Sequence, residues 1–261
     1  MSVMQSNRTK ALLESGGIAI GCGIQQFALA DIPAIYSAAG FDYSFIDLEH
    51  GSLDLESAQL LIRASLANDI TPIVRVGELL YSLIARVLDA GAQGVILPRV
   101  EDPRKIEEAV SWTRFPPQGV RGFGIGGPQL EYRRHAFGDI IRHINSSTLV
   151  VMQIESAVAV ERIDELVSVS GVDIGMVGPA DLSISLGIPG EYEHPRFLAA
   201  IERSIDACRR ANVVPGIQVR DVNSAKNWIR LGMRFVGCGA EHLLLLDRAA
   251  HVVSEMRQTS I

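Results

Sequence analysis

Short runs of apolar residues, many of them β-branched, alternate along the chain with longer stretches whose apolar residues recur at helical spacing. Leu55, Ala58, Ile62 and Leu66, for example, fall on one face of a predicted helix. About eight strands are predicted, of which the fifth and sixth are hard to number. The runs that predict them are residues 18–24, 43–48, 71–76, 94–100, 119–124, 149–154, 172–177, 213–219 and 234–237.

Most of these runs are apolar on both faces, which is typical of a parallel sheet that is covered by helices. The strand count and the length of 261 residues favour an α/β fold of the (β/α)8 TIM barrel type. A dinucleotide-binding fold is the lesser alternative, because Gly21-Cys22-Gly23 is followed by Ile24 and two glutamines and so lacks the GxGxxG pattern. We expect one domain over residues 1–261, with segment 122–128 as a loop on the active face.

Composition and charge favour a globular protein with a small-molecule partner. Apolar residues make up 48% of the chain, and a formal charge of -6 is spread over interleaved acidic and basic residues. The sequence has no basic stripe, so binding to nucleic acid or to an anionic membrane is not predicted. Three cysteines without a CxxC pair indicate a reducing cytoplasm. The sequence shows no signal-type segment and no apolar run of about 20 residues, so neither export nor membrane insertion is expected.

In a barrel, polar residues at the carboxyl ends of strands surround one mouth, which is where these folds catalyse. The residues that pass this test are Asp47, Glu49, His50, Arg75, Gln153, Glu155 and Asp181. Glu155 and Asp181 are candidate ligands for Mg²⁺ or Mn²⁺, since two carboxylates leave four octahedral positions for water and a chelating substrate. Both residues could equally cap the helices that begin beside them.

The other candidates also carry two interpretations. The backbone N–H groups of segment 178–183 could bind a carboxylate, or the segment could be an ordinary strand-to-helix turn. Arg75 could neutralise an enolate oxygen, or it could pair with Asp47 or Glu49. His50 is a candidate general base, although a lone histidine is more often a loop residue.

A Schiff-base mechanism is disfavoured, because it needs an amine inside the barrel. The only lysines are Lys10 in the leading segment and Lys105 and Lys226 in predicted helices. Enolate chemistry at this mouth would therefore call for a metal.

Ordered motifs along almost the whole chain resemble one known family. They are FDYSFIDLEH (41–50), PIVR (72–75), LDAGA (88–92), GVRG (119–122), QIE (153–155), VGPADLS (177–183) and FVG (235–237). With them the chain resembles the class II 2-oxo acid aldolases of the HpcH/HpaI aldolase/citrate lyase family. This family includes 4-hydroxy-2-oxoheptanedioate aldolase and 2-dehydro-3-deoxyglucarate aldolase.

The resemblance implies a barrel of the phosphoenolpyruvate/pyruvate-binding type that is a cytoplasmic, metal-dependent aldolase. It implies that Glu155 and Asp181 hold Mg²⁺ or Mn²⁺, with Co²⁺ as a third option, and that an enolate of pyruvate adds reversibly to an aldehyde. The roles it implies for further residues are base for His50, support of that base for Asp89, enolate stabilisation for Arg75, and oxo-acid binding for Gln153, Gly178, Pro179, Ala180 and Asp181.

The aldehyde acceptor and the oligomeric state are less well defined by the sequence. The chain departs from the family pattern at Gly23, Leu48 and Phe123, loop 126–134 gives no clear match, and Gln218 suggests a polar aldehyde. The family implies a trimer or hexamer with exchanged C-terminal helices, for which segment 243–246 (LLLL) is a candidate contact. Two alternatives stay open: an acyl-CoA lyase or decarboxylase with the same enolate chemistry, and a catalytically silent barrel that binds a 2-oxo acid.

Overall fold

Eight parallel strands close into a barrel in the computed structural model, which describes residues 4–124 and 127–258. Each strand pairs with its neighbours in chain order, and the first also pairs with the last. The strands are β1 (Ala19–Ile24), β2 (Tyr43–Asp47), β3 (Thr71–Arg75), β4 (Gly94–Leu97), β5 (Leu149–Ile154), β6 (Ile174–Val177), β7 (Val214–Val219) and β8 (Phe235–Ala240). The predicted TIM barrel is confirmed, whereas the extent of the domain, residues 1–261, stays a prediction.

Helices surround the barrel and return the chain from the carboxyl end of one strand to the amino end of the next. They are α1 (Arg8–Glu14), α2 (Asp31–Ala39), α3 (Leu55–Ala67), α4 (Tyr81–Asp89), α5 (Pro103–Thr113), α6 (Phe137–Ser147), α7 (Ala157–Glu161), α8 (Ile163–Val167), α9 (Pro179–Ser185), α10 (Pro195–Arg210), α11 (Val222–Leu231) and α12 (Glu241–Arg257). No helix within residues 4–124 and 127–258 is long and apolar enough to cross a membrane.

The core has two layers because barrel strands alternate their side chains between the helices and the barrel axis. A large cluster that includes Ile46, Val74 and Leu97 lies between strands and helices. A smaller cluster fills the barrel, where the rings of Tyr43 and Phe235 stack with centroids 4.2 Å apart. This packed interior leaves the carboxyl ends of the strands as the open face.

Segment 119–124 is not a strand, which corrects one prediction. Val120 N donates to Ser111 O at 2.9 Å, and Arg121 N donates to Arg114 O at 2.9 Å. These bonds fold the segment back onto the end of α5, so its backbone groups are used before they could join the sheet. Its strand signal was short and glycine-rich, and its hydrogen-bond partners are local.

The described part of segment 122–128 packs along α4 and does not line the cavity at the strand ends, so its assignment to the active face is wrong. Gly122 N donates to the hydroxyl of Tyr81, the first residue of α4, at 2.9 Å, and Gly124 lies against the side chain of Asp89, the last residue of α4. Asp89 ends α4, just before β4 begins. Residues 125 and 126, which belong to this segment and in part to loop 126–134, lie outside the described residues.

Candidate active site

A cavity of about 750 Å³ opens at the carboxyl ends of the strands. The predicted site residues that line it are His50, Arg75, Gln153, Gly178, Pro179, Ala180 and Asp181, and Gln25 and Gln218 join them. These residues come from distant parts of the chain and meet because each follows or ends a parallel strand. Most of the predicted site residues therefore lie together at one end of the barrel.

Arg75 is held in place by two buried carboxylates. It ends β3 and is the register partner of Asp47, which ends β2. Arg75 Nε lies 2.8 Å from Asp47 Oδ1, Nη2 lies 2.5 Å from Asp47 Oδ2, and Nη1 lies 2.9 Å from Glu49 Oε2. The ion-pair interpretation of Arg75 is thus correct, and the guanidinium still lines the cavity.

The charge of Arg75 is maintained despite burial. Burial lowers the pKa of the guanidinium, but the hydrogen bonds and charge of Asp47 and the charge of Glu49 raise it more, so the pKa lies above its ordinary value. The Arg75 guanidinium also lies over the Phe45 ring, 5.4 Å from its centroid. A fixed cation is available where negative charge develops on a substrate oxygen.

Glu155 lies beside Gln153 and Gly178, which line the cavity, and does not cap a helix. Its Oε1 accepts from Arg99 N at 2.7 Å and its Oε2 accepts from Gln153 Nε2 at 2.7 Å. The capping of α7 falls to Ser156, whose hydroxyl accepts from Ala159 N at 3.1 Å. The alternative that Glu155 is a helix cap is therefore wrong.

Burial of the Glu155 carboxyl outweighs the nearby positive charge of Arg75. Burial raises the pKa of this carboxyl; the Arg99 N–H lowers it, and the charges of Glu49 and Asp181 raise it further, to about 7. Arg99 has a φ of 53°, an uncommon backbone conformation for a residue with a side chain. Sequence reasoning missed Arg99 because any residue can supply a backbone N–H.

Asp181 lies in the first turn of α9, with its exposed side chain on the cavity wall. Within the described residues its carboxylate has no hydrogen-bond or ion-pair partner. The first hydrogen bond of this turn runs from Leu182 N to Gly178 O at 3.0 Å, so the N–H groups of Ala180 and Asp181 have no helical acceptor. Both the carboxylate and the two N–H groups are thus free to meet a ligand.

The chemistry of this mouth fits a divalent cation with few protein ligands. A Cβ at Gly178 would lie 2.8 Å from Gln153 Nε2 and 3.1 Å from Glu155 Oε2, so glycine keeps the space beside that carboxylate open. No group of three or more His, Cys, Asp or Glu residues that could hold a metal occurs in the described ranges. Glu155 and Asp181 would leave the other positions to water and substrate, as Mg²⁺ sites commonly do.

His50 follows β2 and lines the cavity with a side chain that is 52% exposed. Its backbone N donates to Asp47 Oδ1 at 3.3 Å, and its ring Nε2 lies 3.9 Å from Glu49 Oε2. The network that holds Arg75 therefore also fixes the backbone of His50. The imidazole itself stays accessible to a substrate.

Asp89 does not lie beside His50 within the chain. It ends α4 at the amino-terminal end of the barrel, where its Oδ1 lies 2.7 Å from Arg121 Nη2. Because barrel helices run antiparallel to strands, a residue at a helix end faces the opposite mouth from a residue at a strand end. Within one chain the carboxylate beside the His50 ring is that of Glu49, and the support of His50 by Asp89 stays a prediction.

Of the two residues that were expected to shape the aldehyde pocket and are described next, one lies at the cavity and the other does not. Gln218 lines the cavity, and its Nε2 donates to Gly239 O at 3.1 Å. Phe123 lies away from the cavity and packs on Phe115 and Phe137, with ring centroids 5.5 and 4.7 Å apart. Contact between Gln218 and a polar aldehyde stays a prediction.

We expect the metal-free protein to lose stability between pH 5 and pH 8, and Glu155→Gln to reduce this loss by about 1–3 kcal/mol. The pKa of the Glu155 carboxyl rises from 4.5 to about 7 on folding, so the folded state holds the proton more tightly. This stabilisation is complete below pH 4.5 and is lost as the pH rises through 7. Urea unfolding in chelator at several pH values measures it, and equal pH dependence in both proteins would contradict it.

Comparisons with known proteins agree on one family. Residues 27–247 match the sequence model of the HpcH/HpaI aldolase/citrate lyase family. The chain is 34% identical to the 4-hydroxy-2-oxo-heptane-1,7-dioate aldolase of Shigella sonnei over 95% of this chain and 94% of that protein. It is 32% identical to a 4-hydroxy-4-methyl-2-oxoglutarate aldolase of Chaetomium globosum over 92% of this chain and 91% of that protein.

A solved structure supports the same grouping. The crystal structure of an HpcH/HpaI aldolase from Desulfitobacterium hafniense DCB-2 superposes with a TM-score of 0.91 at 28% identity. The match covers 96% of this chain and 97% of that one. The resemblance therefore extends from local motifs to the whole barrel.

Proposed function

The chain belongs to the HpcH/HpaI aldolase/citrate lyase family, and from this premise we propose that it reversibly cleaves a 4-hydroxy-2-oxo acid into pyruvate and an aldehyde. The observation that carries the proposal is that His50, Arg75 and Asp181 line one cavity, and that the Glu155 carboxylate bonds to Gln153 in the wall of the same cavity. A fixed cation, an accessible imidazole and a pair of acids are the groups that enolate chemistry needs.

Glu155 and Asp181 are proposed to hold Mg²⁺ or Mn²⁺, and Co²⁺ suits the same ligands. When bound, the cation would draw electron density from the 2-oxo group and so make the neighbouring C–H bonds more acidic. It would also add positive charge beside Glu155, whose carboxyl has a pKa that burial raises.

The protein groups around the acids are proposed to position the oxo acid. The free N–H groups of Ala180 and Asp181 suit its carboxylate, and Gly178 and Pro179 set the start of the helix that presents them. Gln153 donates to Glu155 Oε2, and its Oε1 lies 3.5 Å from Arg75 Nη1, so it links the acid to the guanidinium. This link keeps both groups in fixed places.

His50 is proposed to move the proton. In the synthetic direction an imidazole nitrogen takes a proton from the methyl group of pyruvate, and in cleavage it returns that proton to the same carbon. The negative charge that develops on the 2-oxo oxygen is proposed to be met by Arg75, which is already oriented by Asp47 and Glu49. No rearrangement of these groups is needed as the charge forms.

The test is product analysis after incubation of pyruvate with Mn²⁺ and aldehydes of increasing size and polarity. We expect carbon–carbon adducts, and a rate about 100- to 1000-fold lower for His50→Asn, because the variant keeps hydrogen bonding but loses the base. Products that form only with an acyl-CoA or carbon dioxide would indicate the related lyase or decarboxylase. Binding of pyruvate without turnover would indicate a silent barrel and contradict the proposal.

The proposal extends to assembly and location. We expect a trimer or hexamer in the cytoplasm, without nucleic acid or membrane as a partner. Helix α12 supports self-association because Leu245, Leu246 and Met256 are exposed on it. This helix is also the segment that the family resemblance assigned to exchange between protomers.

A further inference from the structure

The loop that follows β1 is anchored by one buried carboxylate. Glu241 begins α12 and is only 4% exposed. Its Oε1 accepts from Gln26 N at 2.5 Å and from Phe27 N at 2.9 Å, and both of its oxygens lie 3.0 Å from Gln25 N. Three consecutive backbone N–H groups thus depend on a single side chain.

The same loop supports the segment that carries His50. Gln25 O accepts from Ser52 N at 2.9 Å, and Gln26 O accepts from the Ser52 hydroxyl at 3.0 Å. Gly51 has a φ of 116°, and a Cβ there would lie 2.2 Å from Gln25 O, so only glycine permits this approach. The loop therefore donates to Glu241 on one side and accepts from the residues after His50 on the other.

The Glu241 carboxylate does not only stabilise the start of α12; it also fixes the position of loop 25–27. Among the described residues, the hydrogen bonds of the Glu241 carboxylate go to residues 25–27, and His242 Nδ1 lies 3.7 Å from its Oε2. Gln25 itself lines the cavity. Three N–H groups left without an acceptor would shift the loop toward other partners, because unsatisfied N–H groups are costly to bury. The carbonyls of Gln25 and Gln26 would move with it, and with them the support of segment 50–52.

We propose that Glu241, at the start of the last helix, is a positioning residue for His50 that acts through loop 25–27. The inference rests on the proposed function, in which His50 moves the proton of pyruvate. A glutamine at this position keeps the size and one acceptor oxygen, but its NH2 group turns a donor toward the N–H groups of the loop. The geometry at His50 should relax without loss of the barrel.

The test measures exchange of the methyl protons of pyruvate with solvent deuterium, in the presence of Mn²⁺, in four proteins: the wild type, Glu241→Gln, His50→Asn and the double variant. We expect Glu241→Gln to lower the exchange rate about 10- to 100-fold when His50 is present, and less than about 3-fold when His50 is already replaced. Equal losses in both backgrounds would show a general structural effect and overturn the proposal.

A second readout does not depend on activity. Amide exchange followed by mass spectrometry should show faster exchange at Ser52 in Glu241→Gln, because its N–H donates to the loop. The matched control is Asp42→Asn, whose carboxylate accepts from Ile20 N at 2.8 Å near the other end of β1. It should change neither the protection of Ser52 nor the rate of methyl exchange.

The outcomes separate the two claims. Wild-type protection of Ser52 together with a wild-type exchange rate in Glu241→Gln would overturn the role of Glu241. A wild-type protein that exchanges no methyl protons with metal present would overturn the proposed function instead. In that case the protection of Ser52 would still decide whether Glu241 holds the segment after His50.

Discussion

Arg75→Lys is expected to lower kcat for aldol cleavage about 100- to 1000-fold while metal affinity changes little. The guanidinium contacts Asp47 with two nitrogens and Glu49 with the third. A lysine ammonium cannot make this planar, three-point arrangement, so the charge would persist but its position would not. Only interactions that strengthen as charge develops contribute to kcat, and these are the interactions that a displaced cation loses.

The measurement is steady-state cleavage, with metal affinity determined separately by calorimetry. Arg114→Lys is a matched control, because Arg114 is also a buried arginine but lies at the amino-terminal end of the barrel, where it donates to Thr148 O at 3.1 Å. The control is expected to lose stability and keep kcat. An increase in KM with unchanged kcat for Arg75→Lys would assign Arg75 to substrate binding and not to charge stabilisation.

Asp181→Asn and Glu155→Gln are each expected to weaken Mn²⁺ binding at least about 100-fold and to lower cleavage about 1000-fold or more. Each variant keeps the shape of the side chain but removes a charge from a pair of acids in a partly buried mouth. With few protein ligands available, the loss of one cannot be replaced by a neighbour. The fold should persist, since neither side chain belongs to the apolar core.

Asp139→Asn is a matched control for Asp181→Asn. Asp139 is likewise an exposed acidic residue in the first turn of a helix, α6, but it pairs with Arg142 and lies away from the cavity. It should leave Mn²⁺ affinity and cleavage unchanged. Unaltered metal binding in both Asp181→Asn and Glu155→Gln would contradict the ligand assignment.

The barrel could be predicted because its strands carry strong local signals. Residues 43–47 are buried throughout, as are 71–75 and 149–154, and such runs are typical of parallel strands under helices. Polar residues placed just after these runs had to meet at one mouth. Arg75 and Glu155 were found in this way from strand ends alone.

The contacts that sequence reasoning missed are those that depend on backbone groups or on distant parts of the chain. Arg99 serves through its N–H, and Glu241 meets loop 25–27 across more than two hundred residues. The role of Asp89 came from the resemblance alone; within one chain Asp89 lies at the opposite mouth, and its role toward His50 stays a prediction. Segment 119–124 was a short, glycine-rich strand candidate, and Val120 N and Arg121 N donate to the end of the preceding helix.

The central claim is that a divalent cation held by Glu155 and Asp181 makes the methyl group of pyruvate acidic enough for the protein to remove a proton. Exchange of those protons with deuterium, followed by NMR without any aldehyde, measures this step alone. We expect exchange to stop in the metal-stripped protein and to return when Mn²⁺ or Mg²⁺ is added. Exchange that continues at the same rate in an excess of chelator would contradict it.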